Sequence, residues 1–134
     1  MNATSALIEA ARSYLDVPFV HCGRSRTGVD CVGLLCAAMR DVGLADYAPK
    51  PYARGDHSRL CAEVEQFAEA VEGEPIPGDL LVMRVRGEVT HLALVTGEGT
   101  IIHANEKVGR VVEQRLGIEL MGRVYAVYRW RSGK

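Results

Sequence analysis

Apolar residues recur at helical spacing in the first half of the chain and alternate in the second. Ala6, Leu7, Ala10, Ala11 and Tyr14 predict a helix over residues 4–15, with Thr4 or Ser5 as its N-cap and Pro18 ending it. The stretch FVHCGRSRTGVD that follows is rich in Gly, Ser and Arg, which is loop chemistry. Val32, Leu35, Met39 and Val42 stripe a second helix, capped by Asp30 and closed by Gly43 as the left-handed C′ residue. LADYAPKPYARGD is Pro-rich and irregular. Leu60, Val64, Phe67 and Val71 then predict a third helix over residues 57–72.

After GEPIPGD the period becomes that of strands: LLVMRVR, VTHLALVT, TIIHAN, GRVVEQ and GRVYAVYRW, separated by Gly-containing turns. Helices followed by a meander of strands predict an α+β fold, N-terminal helices packed on a C-terminal antiparallel sheet. No repeat, low-complexity tract or linker divides the chain, so residues 1–134 are expected to form one domain.

One hairpin register can be argued. TGEGT joins two of these strands, and Gly99 suits a three-residue loop with a left-handed Gly. An odd loop pairs positions whose sum is even, which puts His91, His103 and Asn105 on one face with Val89, Ala93, Val95 and Ile101. Leu92, Leu94, Ile102 and Ala104 make the opposite, apolar face. The His-bearing face needs a cover, and the second helix is the natural one.

Composition narrows the partners. The chain has 16 basic and 17 acidic residues, a net charge of -1, so nothing points to nucleic acid or an anionic membrane. The short Arg clusters at 24–26 and 84–86 read as solvated surface. No segment is apolar for long enough to span a bilayer. The start, MNATSALIEAARSYLDVP, reads as helix and not as a signal peptide, so a chain made in the cytoplasm is expected. Four Cys without a secretion signal argue for free thiols over a disulfide framework.

Cys31 stands at the first turn of the second helix, where unpaired N–H groups and the helix dipole favour a thiolate and could receive an oxyanion. It is open to two readings, a packed small hydrophobe and a nucleophile. A nucleophile needs a base, and His21, His57, His91 and His103 are available. Gly33 would leave room for a substrate. A zinc site from His21, Cys22, Cys31 and Cys36 matches no common structural zinc spacing. Cys36 and Cys61 fall on apolar helix positions and read as packing, as do Tyr125, Tyr128 and Trp130 in the last strand.

Three blocks in order, PFVHCGRSRTGVDCVGL, PGDLLVM and HLALVTGEGTIIHA, resemble the motifs of the NlpC/P60 superfamily of papain-like cysteine peptidases. The resemblance implies a papain-like fold with Cys31 as nucleophile, His91 as general base and acid, and His103, or else Asn105, as the residue orienting His91. It implies that Asp30 helps bind a substrate amine. The substrate class it implies is the peptidoglycan stem peptide, cut at an amide of the γ-D-glutamyl-diaminopimelate type, with no metal or organic cofactor. Phe19 stands where the family has a Tyr, a candidate oxyanion donor, leaving His21 or an Arg of the 24–26 loop such as Arg24 as substitutes. With Cys22-Gly23 in place of a Gly pair and Val32 in place of Ser, the chain resembles the phage-tail branch. That branch implies phage tail proteins as partners and virion association. The alternatives are a tail component with weak or lost hydrolase activity, and a thiol acyltransferase.

Overall fold

A computed structural model describes residues 3–47, 49, 52 and 59–131. The elements are α1 (Ala3–Arg12), β1 (Arg24–Ser25), β2 (Gly28–Val29), α2 (Cys31–Asp41), α3 (Leu60–Val64) and β3 (Ala68–Val71). They continue with β4 (Leu80–Val85), β5 (Glu88–Val95), β6 (Thr100–Asn105), β7 (Arg110–Arg115), α4 (Ile118–Met121) and β8 (Val124–Trp130). The architecture is α+β, with a six-stranded antiparallel sheet in the order β3-β8-β4-β5-β6-β7. No helix among the described residues is long and apolar enough to cross a membrane.

The centre of the fold is α2. Nine consecutive residues, Cys31 to Met39, are buried, so this helix is covered all round and not along a single stripe. Asp30 caps it, its Oδ1 accepting from Gly33 N–H at 2.8 Å. Gly43, at φ 75°, closes it, with Leu44 N–H bonded to the Met39 carbonyl and Gly43 N–H to that of Arg40, a Schellman pattern. Leu7, Ile8 and Ala11 of α1 join α2 over Leu80, Val82, Leu92, Leu94, Ile102 and Ala104 of the sheet. Each Leu or Ile taken fully out of water there contributes about 1.5–3 kcal/mol.

Several expectations are corrected. Thr4 and Ser5 lie inside α1, and do not cap it. The loop after Pro18 contains a small ribbon, β1 paired with β2. The third helix is only Leu60–Val64; Ala68–Val71 pairs with β8 as an edge strand, because pairing outweighs a spacing that suits either element. The part of that expectation at residues 57–58, His57 included, lies outside the described residues. The sheet is not a plain meander either, since β8 returns past β7 to pair with β4. Tyr128 is buried and Trp130 half-buried in the packing, but Tyr125 is exposed beneath Arg84.

Most consequential for the site, α2 covers the other face of the β5–β6 hairpin from the one expected. Leu92, Leu94, Ile102 and Ala104 meet the helices, while Ala93, Val95 and Ile101 pack with Leu81 and Met83 against Leu116, Leu120, Val124 and Val127. The register itself follows from the three-residue loop: Thr96 N–H bonds the Thr100 carbonyl, Gly99 is left-handed, and Leu94 pairs with Ile102. What breaks the simple alternation is a bulge. Met83 pairs with His91 and Arg84 with Val89, which leaves Thr90 as an extra residue and turns Val89 to the helix side.

Gly33 serves packing within the fold. A Cβ there would lie 1.7 Å from the Gly23 carbonyl oxygen, so the neighbour it makes room for is the backbone of the loop before β1, not a substrate. Gly33→Ala should therefore destabilise the fold by more than about 2 kcal/mol, the upper range for overpacking. A urea unfolding midpoint unchanged from wild type would contradict this contact.

Candidate active site

The cap that starts α2 also sets the position of Cys31. The side chain is 4% exposed and its thiol donates to the Thr90 carbonyl at 3.9 Å. The Leu92 N–H also reaches the sulfur, as do the N–H groups of Val32 and Cys31 itself. Sγ thus rests against the backbone on both sides of His91, at the bulge. Burial is the larger influence on the thiol and the Asp30 carboxylate the next; together they push its pKa up to about 12 against the pull of those N–H groups. The thiolate expected at a helix start is therefore not the resting form.

The two histidines meet as the register requires. His91 Nε2 lies 2.6 Å from His103 Nδ1, and His103 Nε2 lies 2.6 Å from Gln114 Oε1. The pairing of β5 with β6 covers Leu94↔Ile102 and Val95↔Ile101, so the rings interact beyond the paired stretch. Protons in this chain can be assigned from one end. The Gln114 carbonyl oxygen only accepts, so His103 carries its proton on Nε2. Burial lowers the His103 pKa and keeps the ring neutral, which makes Nδ1 an acceptor. His91 must then donate through Nε2, and its Nδ1 is the basic nitrogen.

Gln114 is a residue that sequence reasoning missed. Ile101 pairs with Gln114 and His103 with Val112, so Gln114 shares the His103 face on the neighbouring strand. A register for the β6–β7 hairpin would have exposed it. Asn105 is occupied elsewhere: its Oδ1 accepts from Val108 N–H in the turn leading to β7. The residue bonded to His91 is His103.

Asp30 is 2% exposed and saturated. Beyond the cap, its Oδ2 accepts from Cys22 N–H at 2.9 Å and from the Tyr52 hydroxyl. His21 joins this group, with Nε2 at 2.9 Å from the Tyr52 carbonyl oxygen and 3.4 Å from Cys22 Sγ. Tyr52 is a second residue the sequence did not single out. The four Cys residues are free thiols. Of the zinc alternative, only His21 and Cys22 come together, and their third companion is Asp30 in place of Cys31 and Cys36; the donor atoms lie within 4.8 Å of one another.

The remaining candidates make other contacts. Phe19 pairs with Val29, donates its N–H to the Gly109 carbonyl and packs against the core. Arg24 lies alongside α2, its carbonyl bonded to Arg40. Asp79, of the PGD motif, is a buried structural anchor: Arg129 grips it through Nε and Nη2, both at 2.9 Å.

Comparison with known proteins relates the chain's sequence and fold to others. The model of the NlpC/P60 family matches residues 16–129. An NlpC/P60 family protein from Bacillus cereus shares 24% identity at a TM-score of 0.71, over 96% of this chain and 40% of that one. The NlpC/p60 domain of the peptidoglycan hydrolase SagA gives 20% and 0.67, over 96% and 99%. The peptidoglycan hydrolase RipB from Mycobacterium tuberculosis gives 23% and 0.67, over 95% and 64%. The chain thus spans less than half of the Bacillus protein and most of the SagA domain. Among curated protein sequences none matches it.

A thiol held near 12 makes a clear kinetic demand. Alkylation of Cys31 by iodoacetamide, read by peptide mass mapping, should accelerate roughly tenfold per pH unit without a plateau below about pH 10, because only the thiolate reacts. A plateau at neutral pH would contradict the buried neutral thiol.

Proposed function

The chain belongs to the NlpC/P60 family, and from that membership we propose that it is a cysteine amidase acting on peptidoglycan stem peptides. The observation that carries the reading is the seating of Cys31 Sγ against the backbone flanking His91, with His91 linked through His103 to Gln114.

In the proposed reaction, Nδ1 of His91 takes the thiol proton as Sγ attacks the amide carbonyl. Proton and nucleophile move together, since the resting thiol is neutral. The N–H groups at the start of α2 receive the oxyanion. The His91 imidazolium then protonates the leaving amine as the C–N bond breaks, and water hydrolyses the thioester to a carboxylate and the free thiol. His103 and Gln114 touch no substrate atom; they hold the His91 proton on Nε2. The γ-D-glutamyl-diaminopimelate amide is the bond proposed. Asp30 can bind a substrate amine only if the Tyr52 hydroxyl leaves its Oδ2.

One observation favours a second reading, a domain with weak or lost hydrolase activity: the burial that disfavours the Cys31 thiolate. Phage tail partners and virion association form no part of either reading.

Release of stem peptides from purified sacculi, followed by mass spectrometry, tests the proposal. Cys31→Ala and His91→Ala should abolish release. Gln114→Ala should lower kcat roughly tenfold or more with little change in KM, as expected for loss of the correct tautomer. Near wild-type release by Cys31→Ala would end the reading, and no release by the wild type would favour the second.

A further inference from the structure

The cluster beside the helix cap has the chemistry of a cation site. His21 offers an imidazole nitrogen, Cys22 a thiol sulfur and Asp30 a carboxylate oxygen, all within 4.8 Å of one another. Imidazole and thiolate together select borderline-soft divalent ions such as Zn²⁺ over Mg²⁺ or Ca²⁺. Their spacing is also close to what such an ion imposes. A tetrahedral zinc with nitrogen at about 2.0–2.1 Å and sulfur at about 2.3 Å separates those two donors by roughly 3.5 Å. His21 Nε2 and Cys22 Sγ are 3.4 Å apart.

The backbone fixes two of the three donors. Cys22 has φ 61°, the left-handed region where an L side chain is held at a cost, and its N–H is bonded to Asp30 Oδ2. Asp30 is fixed in turn by the cap bond to Gly33. The contacts that a bound ion would replace are those of Tyr52. Its carbonyl accepts at His21 Nε2, and its hydroxyl donates to Asp30 Oδ2, so the hydroxyl hydrogen occupies the space a cation would take.

We propose that His21, Cys22 and Asp30 bind a thiophilic divalent cation of the Zn²⁺ class, and that Tyr52 competes with the ion for the same donors. The site shares no donor with the Cys31–His91–His103 group, although Asp30 adjoins Cys31, and the proposal does not depend on the amidase reading. Binding the ion releases one proton from the Cys22 thiol, and no redox change is involved. With three protein donors the fourth position is left to water, the pattern of an exchangeable site and not of a closed structural one.

Cobalt reports a thiolate ligand directly. The full chain, reduced and stripped with chelator, is titrated with Co²⁺, and the near-ultraviolet thiolate-to-cobalt charge-transfer band is followed; Zn²⁺ is then added to displace it. The band should form in the wild type and be bleached by Zn²⁺. It should be lost in Cys22→Gly, which relieves the left-handed strain and so keeps the fold, and in His21→Ala. It should persist in Cys31→Ser and Cys36→Ser. Tyr52→Phe should move the titration midpoint to several-fold lower Co²⁺. No band in the wild type, a band that survives Cys22→Gly, or one lost in Cys31→Ser would overturn the site. An unchanged or weakened midpoint in Tyr52→Phe would overturn the competition.

Discussion

The Asp30 carboxylate joins α2, the loop before it and Tyr52 at one point. One oxygen accepts from Gly33 N–H and starts α2; the other holds Cys22 N–H and the Tyr52 hydroxyl. A buried carboxylate is tolerated only when its lone pairs are met by donors, and here three donors come from the helix, the preceding loop and a residue twenty-two positions later. Fixing the first turn of α2 fixes Cys31, the next residue. Gly33 lets the Gly23 carbonyl approach the same turn, so the loop and the helix close on each other around this one group.

The same arrangement has an electrostatic consequence. Asp30 is close enough to disfavour a thiolate at Cys31, and burial acts in the same direction. The nearby N–H groups of Cys31, Val32 and Leu92 act against both but do not prevail. A site of this kind keeps its thiol as a thiol until a base takes the proton. Beside it runs a chain of hydrogen-bonded side chains, in which Gln114 meets His103 and His103 meets His91. The bulge at Thr90 lies where the first residue of α2 meets the hairpin, since the Cys31 thiol donates to the Thr90 carbonyl.

The class of fold and the parts of this site were legible in the sequence because each rested on local chemistry. Asp30 and Gly43 announce the ends of α2, and TGEGT fixes the parity that brings His91 and His103 together. What was not legible depends on pairing between distant segments. Ala68–Val71 reads as helix until β8 lies beside it. That Val89 joins the face covered by α2 turns on one extra residue, Thr90, that no local pattern marks. Gln114 becomes visible only through the β6–β7 register, and Tyr52 only through the bond of its hydroxyl to Asp30. Helix-start N–H groups, which favour a thiolate at Cys31, can be counted in a sequence, whereas the burial that acts against them cannot.

The central claim is that Cys31, made nucleophilic by His91, carries the acyl group of a cleaved amide. Acid-quenched intact mass analysis during turnover of a disaccharide-peptide wall fragment tests it most directly. The account predicts a transient mass increase equal to the acyl half of the substrate, mapped to the peptide containing Cys31 and lost on treatment with hydroxylamine. Product formation with no adduct, or an adduct on Cys22, would contradict it.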